Sequence, residues 1–148
     1  MTEPFWVEKE ALLLLHSKAL ARFGGIEEIR DEGSLNSALA RPRNAFSYGR
    51  RDTIEEIATS YAFGLVKDHP FADGNKRSAF MAVGLFLGVN GRELDVDRAE
   101  AIQAVAALAE SKIGEREFAS WLRLHINQAT EYRRPQTVRD LVKPVSET

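Results

Sequence analysis

Apolar residues recur three and four apart along most of this chain, the spacing of helices that bury one face. Ala11, Leu12, Leu15, Ala19 and Phe23 outline a first helix that is expected to start near Pro4 and to stop at Gly24-Gly25. Ser34 is placed to cap a short second helix carrying Leu35 and Leu39, and Pro42 is expected to end it, because proline disfavours helix at the residue before it. Residues 43 to 52 show no helical period and read as a loop. Thr53-Ile54-Glu55-Glu56 is a capping box, and Ile54, Ile57, Ala58, Tyr61, Ala62 and Leu65 continue it as a one-faced helix up to His69-Pro70. From Ser78 to Val89 the chain is apolar nearly all round, which marks a helix surrounded by others, closed by Asn90-Gly91. Asp97 with Glu100 opens a fifth helix carrying Ile102, Val105, Ala106 and Ala109, and Phe118, Trp121, Leu122 and His125 outline a sixth. The pattern predicts an all-α fold, a single compact bundle of about six helices over residues 1–126. Residues 127–148 turn polar and charged and read as a poorly ordered tail.

Composition narrows the possibilities. A chain of 148 residues is one domain by the usual prior, and one of that size buries about 68 to 70 % of the surface it exposes unfolded. It has no cysteine, so disulfides, thiolate metal sites and cysteine nucleophiles are excluded. A net charge of −2 gives no support to direct nucleic-acid binding. The start of the chain carries Glu3, Glu8 and Glu10 before a short apolar run, unlike a secretory signal, and no stretch has the length of a membrane span. The expected location is the cytoplasm, with no membrane partner.

Candidate chemistry gathers where the fourth helix begins. His69-Pro70-Phe71-Ala72-Asp73-Gly74-Asn75-Lys76-Arg77 brings a histidine, an acid, a glycine, an amide and two cations to the mouth of the most buried helix. The free N–H groups and dipole of a helix start attract phosphate. Gly74 allows close backbone approach, and Lys76 and Arg77 add formal positive charge. Asp73 is the kind of hard oxygen ligand that Mg²⁺ takes beside phosphate and water, and His69 is placed to take a proton from an attacking hydroxyl. Each has a plainer reading: a loop histidine, an N-cap aspartate, a solvated Lys-Arg pair. Those readings do not explain why all of them meet at one buried helix. Phe71 reads as the buried anchor of the loop, and His16 and His125 as packing or surface residues without chemistry.

Read as H-P-F-x-D-G-N-K-R, the nine residues from His69 to Arg77 resemble the signature loop of the Fic/Doc superfamily in its Doc ("death on curing") form. Gly25-Ile26, Arg30-Asp31 and the run from Leu35 to Pro42 resemble the segment that Doc-like proteins carry ahead of the loop, and the likeness spans about residues 5 to 125. Fic proteins that transfer AMP read H-P-F-x-D/E-G-N-G-R-x-x-R. Here Lys76 stands at the second glycine and Phe80 at the second arginine, which points to the Doc branch.

The resemblance implies a toxin of a toxin–antitoxin pair that moves the γ-phosphate of ATP, with Mg²⁺, onto a Ser or Thr hydroxyl of a protein, a translation factor such as elongation factor Tu. It implies His69 as base, Asp73 as metal ligand, and Gly74, Asn75, Lys76 and Arg77 as phosphate ligands. Its partner is a cognate antitoxin with a disordered C-terminal segment. Residues 43 to 52, by themselves a solvated connector, then become a flap for the target, with Phe46, Tyr48 and Arg50 as docking residues. Fic-type AMP transfer and a catalytically idle phosphate-binding module are the alternatives. Nucleic-acid binding through Arg41, Arg43, Arg50 and Arg51 ranks last. The tail lacks the S/T-x-x-x-E-G/N pattern of an internal inhibitory helix.

Overall fold

A computed structural model describes residues 2–51 and 53–128. Its elements in order are α1 (Lys9–Phe23), α2 (Glu32–Ser47), α3 (Ile54–Asp68), α4 (Asn75–Val89), β1 (Arg92–Leu94), α5 (Arg98–Ala109), α6 (Glu115–His125) and β2 (Ile126–Gln128). The six-helix expectation holds. α3 and α4 form the centre: α4 packs against α1, α3, α5 and β1, and α3 against α2, α4, α5 and α6. α3 is buried on more than the one face expected, from Ile57 through Ala62 and again over Gly64–Val66. At Gly64 an added Cβ would lie 3.2 Å from Ala38 Cα, so α2 and α3 approach as closely as they do only because glycine faces alanine. Among the described residues no helix is long and apolar enough to cross a membrane.

Four boundaries differ from expectation, three of them through partners distant in sequence. α1 begins at Lys9, not near Pro4. Ahead of it the chain is an extended strap: the Asn90 side chain takes both the N–H and the C=O of Phe5, each at 2.9 Å, and the Tyr61 hydroxyl accepts from Val7 N–H at 3.0 Å. α2 is capped by Asp31, whose carboxylate accepts from Ser34 N–H, so Ser34 is inside the helix. Pro42 does not end α2, which runs on to Ser47. Proline leaves the Ala38 carbonyl without its helical donor, but neighbouring contacts hold the turn: Arg41 donates to both carboxylate oxygens of Glu115 at 2.9 and 3.1 Å and to Ser60 Oγ at 2.9 Å, and lies over the Phe63 ring. At the far end β1 and β2 pair antiparallel, with Glu93 opposite Asn127 and Arg92 opposite Gln128. The fold therefore extends through Gln128, two residues past the expected boundary, and the expected tail beyond it lies outside the described residues.

Candidate functional site

The loop between α3 and α4 is held to the segment between α1 and α2. Arg30 and Asp31 N–H both donate to Pro70 O (2.7 and 3.1 Å), Ala72 N–H donates to Glu28 O (3.0 Å), and Ile29 and Phe71 form an isolated antiparallel bridge. The Arg30 guanidinium closes the end of α3, with Nε donating to His69 O at 2.6 Å and Nη2 to Asp68 O at 2.8 Å. His69 itself adopts φ 47, ψ 57, a left-handed conformation that a residue other than glycine takes up at a cost and that clusters at functional sites. The Asn75 side chain braces the loop from within: its Oδ1 accepts from Phe71 N–H at 3.0 Å and its Nδ2 donates to Phe71 O at 2.9 Å.

Beneath the loop is a residue to which the sequence assigned no chemistry. His16 is 4 % exposed and stacks on the buried Phe71 ring at 3.7 Å between centroids. Its Nδ1 shares a 2.7 Å hydrogen bond with the hydroxyl of Ser78, itself fully buried in the first turn of α4, while Nε2 has no partner. Gly74, at φ 80, passes directly over it, and an added Cβ there would lie 3.1 Å from His16 Cε1. Burial lowers the His16 pKa; the Glu27 carboxylate opposes that shift and the Arg77 charge adds to it. The ring is thus neutral at neutral pH. The available signal was its position in Leu12-x₃-His16-x₃-Leu20, where a polar residue on the buried stripe requires a partner.

Above that floor lie the loop and the first turn of α4. The N–H groups of Asn75, Lys76 and Arg77 lack helical acceptors by the geometry of any helix start, and Gly74, the N-cap, brings no side chain to cap them. With its amide occupied by Phe71, Asn75 offers an anion its backbone N–H. The His69 and Lys76 side chains are exposed, and among the described residues neither has a hydrogen-bonding or charged partner. Arg77 lies over the Phe23 ring, 4.9 Å from its centroid. Asp73 is not the N-cap of α4: its Oδ2 accepts from Ile26 N–H at 2.8 Å. That bond fixes the carboxyl in place and leaves Oδ1 for another ligand. Among the described residues no group of three or more His, Cys, Asp or Glu forms a protein-only metal cage. An exposed single carboxylate beside an anion site fits Mg²⁺, which draws most of its ligands from phosphate and water.

The residues expected to form a flap do not border the loop. Phe46 belongs to α2 and packs edge-on against Trp6 with centroids 5.7 Å apart; Tyr48 is 77 % exposed, and Arg50 lies over its ring. α2 starts at Asp31, bonded to Pro70, and runs away from the loop for sixteen residues, about 24 Å of helix at 1.5 Å per residue. Phe46, Tyr48 and Arg50 therefore sit at the opposite end of α3 from His69. The backbone segment that does border the loop is Gly24 to Asp31, with Ile26 61 % exposed. The four arginines proposed for nucleic acid do not form a free patch: Arg41 and Arg51 converge on Glu115, and Arg43 and Arg50 lie over Trp6 and Tyr48.

Comparison with known proteins agrees with this arrangement. The chain is 37 % identical over 105 residues to a protein of Mycolicibacterium smegmatis named Toxin Doc, an alignment covering 68 % of this chain and 77 % of the relative. It is 27 % identical over 117 residues to the Protein kinase doc of Escherichia phage P1, covering 79 % of this chain and 92 % of that one. The sequence profile described as the Fic/DOC family matches residues 6–87, which takes in α1 to α3, the whole loop and all but the last two residues of α4. With more than half of its length under that profile, this chain belongs to the Fic/Doc family.

Proposed function

We propose that the protein is a Doc-type toxin that transfers the γ-phosphate of ATP to a Ser or Thr hydroxyl of a protein target in the cytoplasm. The observation that carries this reading is the first turn of α4: three N–H groups without helical acceptors and two cations, Lys76 and Arg77, with no carboxylate partner among the described residues, next to an exposed histidine ring. In this reading the terminal phosphate lies against those N–H groups. His69 accepts the proton of the acceptor hydroxyl as its oxygen bonds to the γ-phosphorus. The bond from that phosphorus to the β,γ-bridging oxygen breaks, and ADP leaves with the electron pair. Mg²⁺ held by Asp73 neutralises phosphate charge when bound. Oriented charge in a rigid, buried framework is the form of stabilisation that phosphoryl transfer uses most.

Two features favour phosphate transfer over AMP transfer. Lys76 fills the place of the second glycine, and Phe80, where the second arginine would be, is buried in the core at 6 % exposure. The relative named Protein kinase doc supports the same choice, and the relative named Toxin Doc supports a cognate antitoxin as partner. The target, with elongation factor Tu the candidate, is expected to meet the loop along Gly24 to Ile29 and not along residues 43–52. Incubation of the protein with cell extract, Mg²⁺ and ATP labelled at either the α- or the γ-phosphate tests the proposal. Label from the γ-position on one protein band, lost without Mg²⁺, is the expected result. Label from the α-position means nucleotidyl transfer, and no label from either means an idle module.

A further inference from the structure

Three guanidinium groups meet on one aromatic ring. The Cζ atoms of Arg22, Arg77 and Arg98 lie 5.3, 4.9 and 5.5 Å from the centroid of Phe23, the last residue of α1, whose ring is 49 % exposed. They come from the end of α1, the first turn of α4 and the first residue of α5. Of the three, only Arg77 belongs to the loop motif.

The cluster is electrostatically incomplete. Among the described residues none of the three arginines has an ion pair or a hydrogen bond to a carboxylate, whereas Arg41, Arg51 and Arg123 each contact a glutamate. Among the described residues the acids nearest in the chain form no ion pair with these arginines: Asp97 has none, Glu27 accepts from the Ser17 hydroxyl, Asp73 accepts from Ile26 N–H, and Glu100 faces His125. A phenyl face attracts cations but does not cancel the repulsion among three of them.

We propose that Arg22 and Arg98, with Arg77 on the Phe23 platform, bind the diphosphate portion of the nucleotide, the part that leaves as ADP. This rests on the phosphotransfer reading of the loop. Arg77 makes the site continuous: it stands in the first turn of α4, against which the transferred phosphate is placed, and reaches to the ring where the other two arginines wait. Planar guanidinium forks match phosphate oxygens in pairs. A diphosphate presents several such oxygens and more than one charge, enough to engage all three groups at once, which a single carboxylate is not. The cluster also answers a deficiency noted in the loop. With position 80 given to a core phenylalanine, α4 supplies no second arginine, and the charge it would bring comes instead from α1 and α5.

Titration calorimetry with ADP, ATP and AMP on the full chain tests this, with circular dichroism as the check on folding. The wild type is expected to bind ADP at least tenfold more tightly than AMP. Arg22→Gln and Arg98→Gln should each weaken ADP and ATP about tenfold, and the double variant should lose the preference for ADP over AMP. Arg98→Lys, which keeps the charge but not the fork, should retain part of it. Folded variants that bind ADP within twofold of the wild type overturn the proposal while leaving the loop reading in place. So does a wild type that binds ATP but holds ADP and AMP equally. A wild type that binds no nucleotide overturns both.

Discussion

The two ends of α3 have the same ingredients and opposite states. At its N-terminal end the glutamates are paired. Thr53 and Glu56 close a reciprocal capping box, Glu115 receives both Arg41 and Arg51, and Arg123 donates to Glu55 at 2.9 Å. At its C-terminal end the backbone is held just as firmly, by Arg30, Asn75 and the bridge to Ile29, yet the charged side chains are left open. His69 is exposed in a left-handed conformation, Lys76 has no counter-charge among the described residues, and Arg77 joins two more cations on Phe23. Rigidity without charge compensation is what a site needs if a ligand is to supply the missing charge. One end of the helix is complete as a structure, and on the proposed function the other is completed by an anion.

If that contrast is correct, changes at the open end should remove activity and leave the fold, and changes at the closed end should do the reverse. The largest effect is expected at His69. His69→Ala should lower phosphate transfer by about 10² to 10⁴-fold, the usual contribution of a general base, with nucleotide affinity and helical circular dichroism close to wild type. Next is the closed end. Glu115→Ala leaves Arg41 and Arg51 without their shared carboxylate and should cost about 1–3 kcal/mol, given that the groups are partly solvated. Urea titration should show a lower midpoint, and transfer per folded molecule should stay near that of the wild type. A stable but inactive Glu115→Ala would erase the distinction between the ends.

The smallest effect comes from His16 and sharpens how the open end is supported. Its folded pKa is lowered, chiefly by burial, so the unfolded chain binds a proton near pH 6.5 that the folded chain refuses. Stability is therefore retained above pH 6.5 and falls as pH drops from there towards the folded pKa, with a slope from this one group of at most about 1.4 kcal/mol per pH unit. His16→Asn should flatten that part of the profile of urea midpoint against pH. An unchanged slope would mean the ring is charged in the fold, contrary to its burial on Phe71.

The parts of this architecture that were legible in the sequence are those whose causes are local. The Thr53–Glu56 box needs only its own four residues, and α4 declares itself by being apolar all round. The loop chemistry was legible because nine contiguous residues carry it. Pro42 misled because the contacts that keep its turn helical come from Glu115, seventy-four positions from Arg41. The start of α1 misled because Asn90 ties down Phe5 from eighty-five positions away. The distance of Phe46 and Tyr48 from the loop was hidden for a related reason: separation along the chain says nothing of direction, and α2 carries them away from His69 before α3 returns. Arg30 was noted only as part of a motif, and its grip on the end of α3 appears only when both helices are in place. His16 was passed over because no second metal-type residue accompanies it at helical spacing, whereas its partners, Ser78 and Phe71, lie far along the chain.

On the proposed function, the cations at the loop end lack counter-charges among the described residues because a nucleotide pairs them. Calorimetric titration of ATP with Mg²⁺ into Lys76→Ala and Arg51→Ala tests it most directly, since each variant removes one exposed or half-exposed cation, from opposite ends of α3. Lys76→Ala is expected to weaken binding about tenfold or more, and Arg51→Ala to leave it within about twofold of the wild type. Equal losses in both variants, or a loss in Arg51→Ala alone, would contradict it.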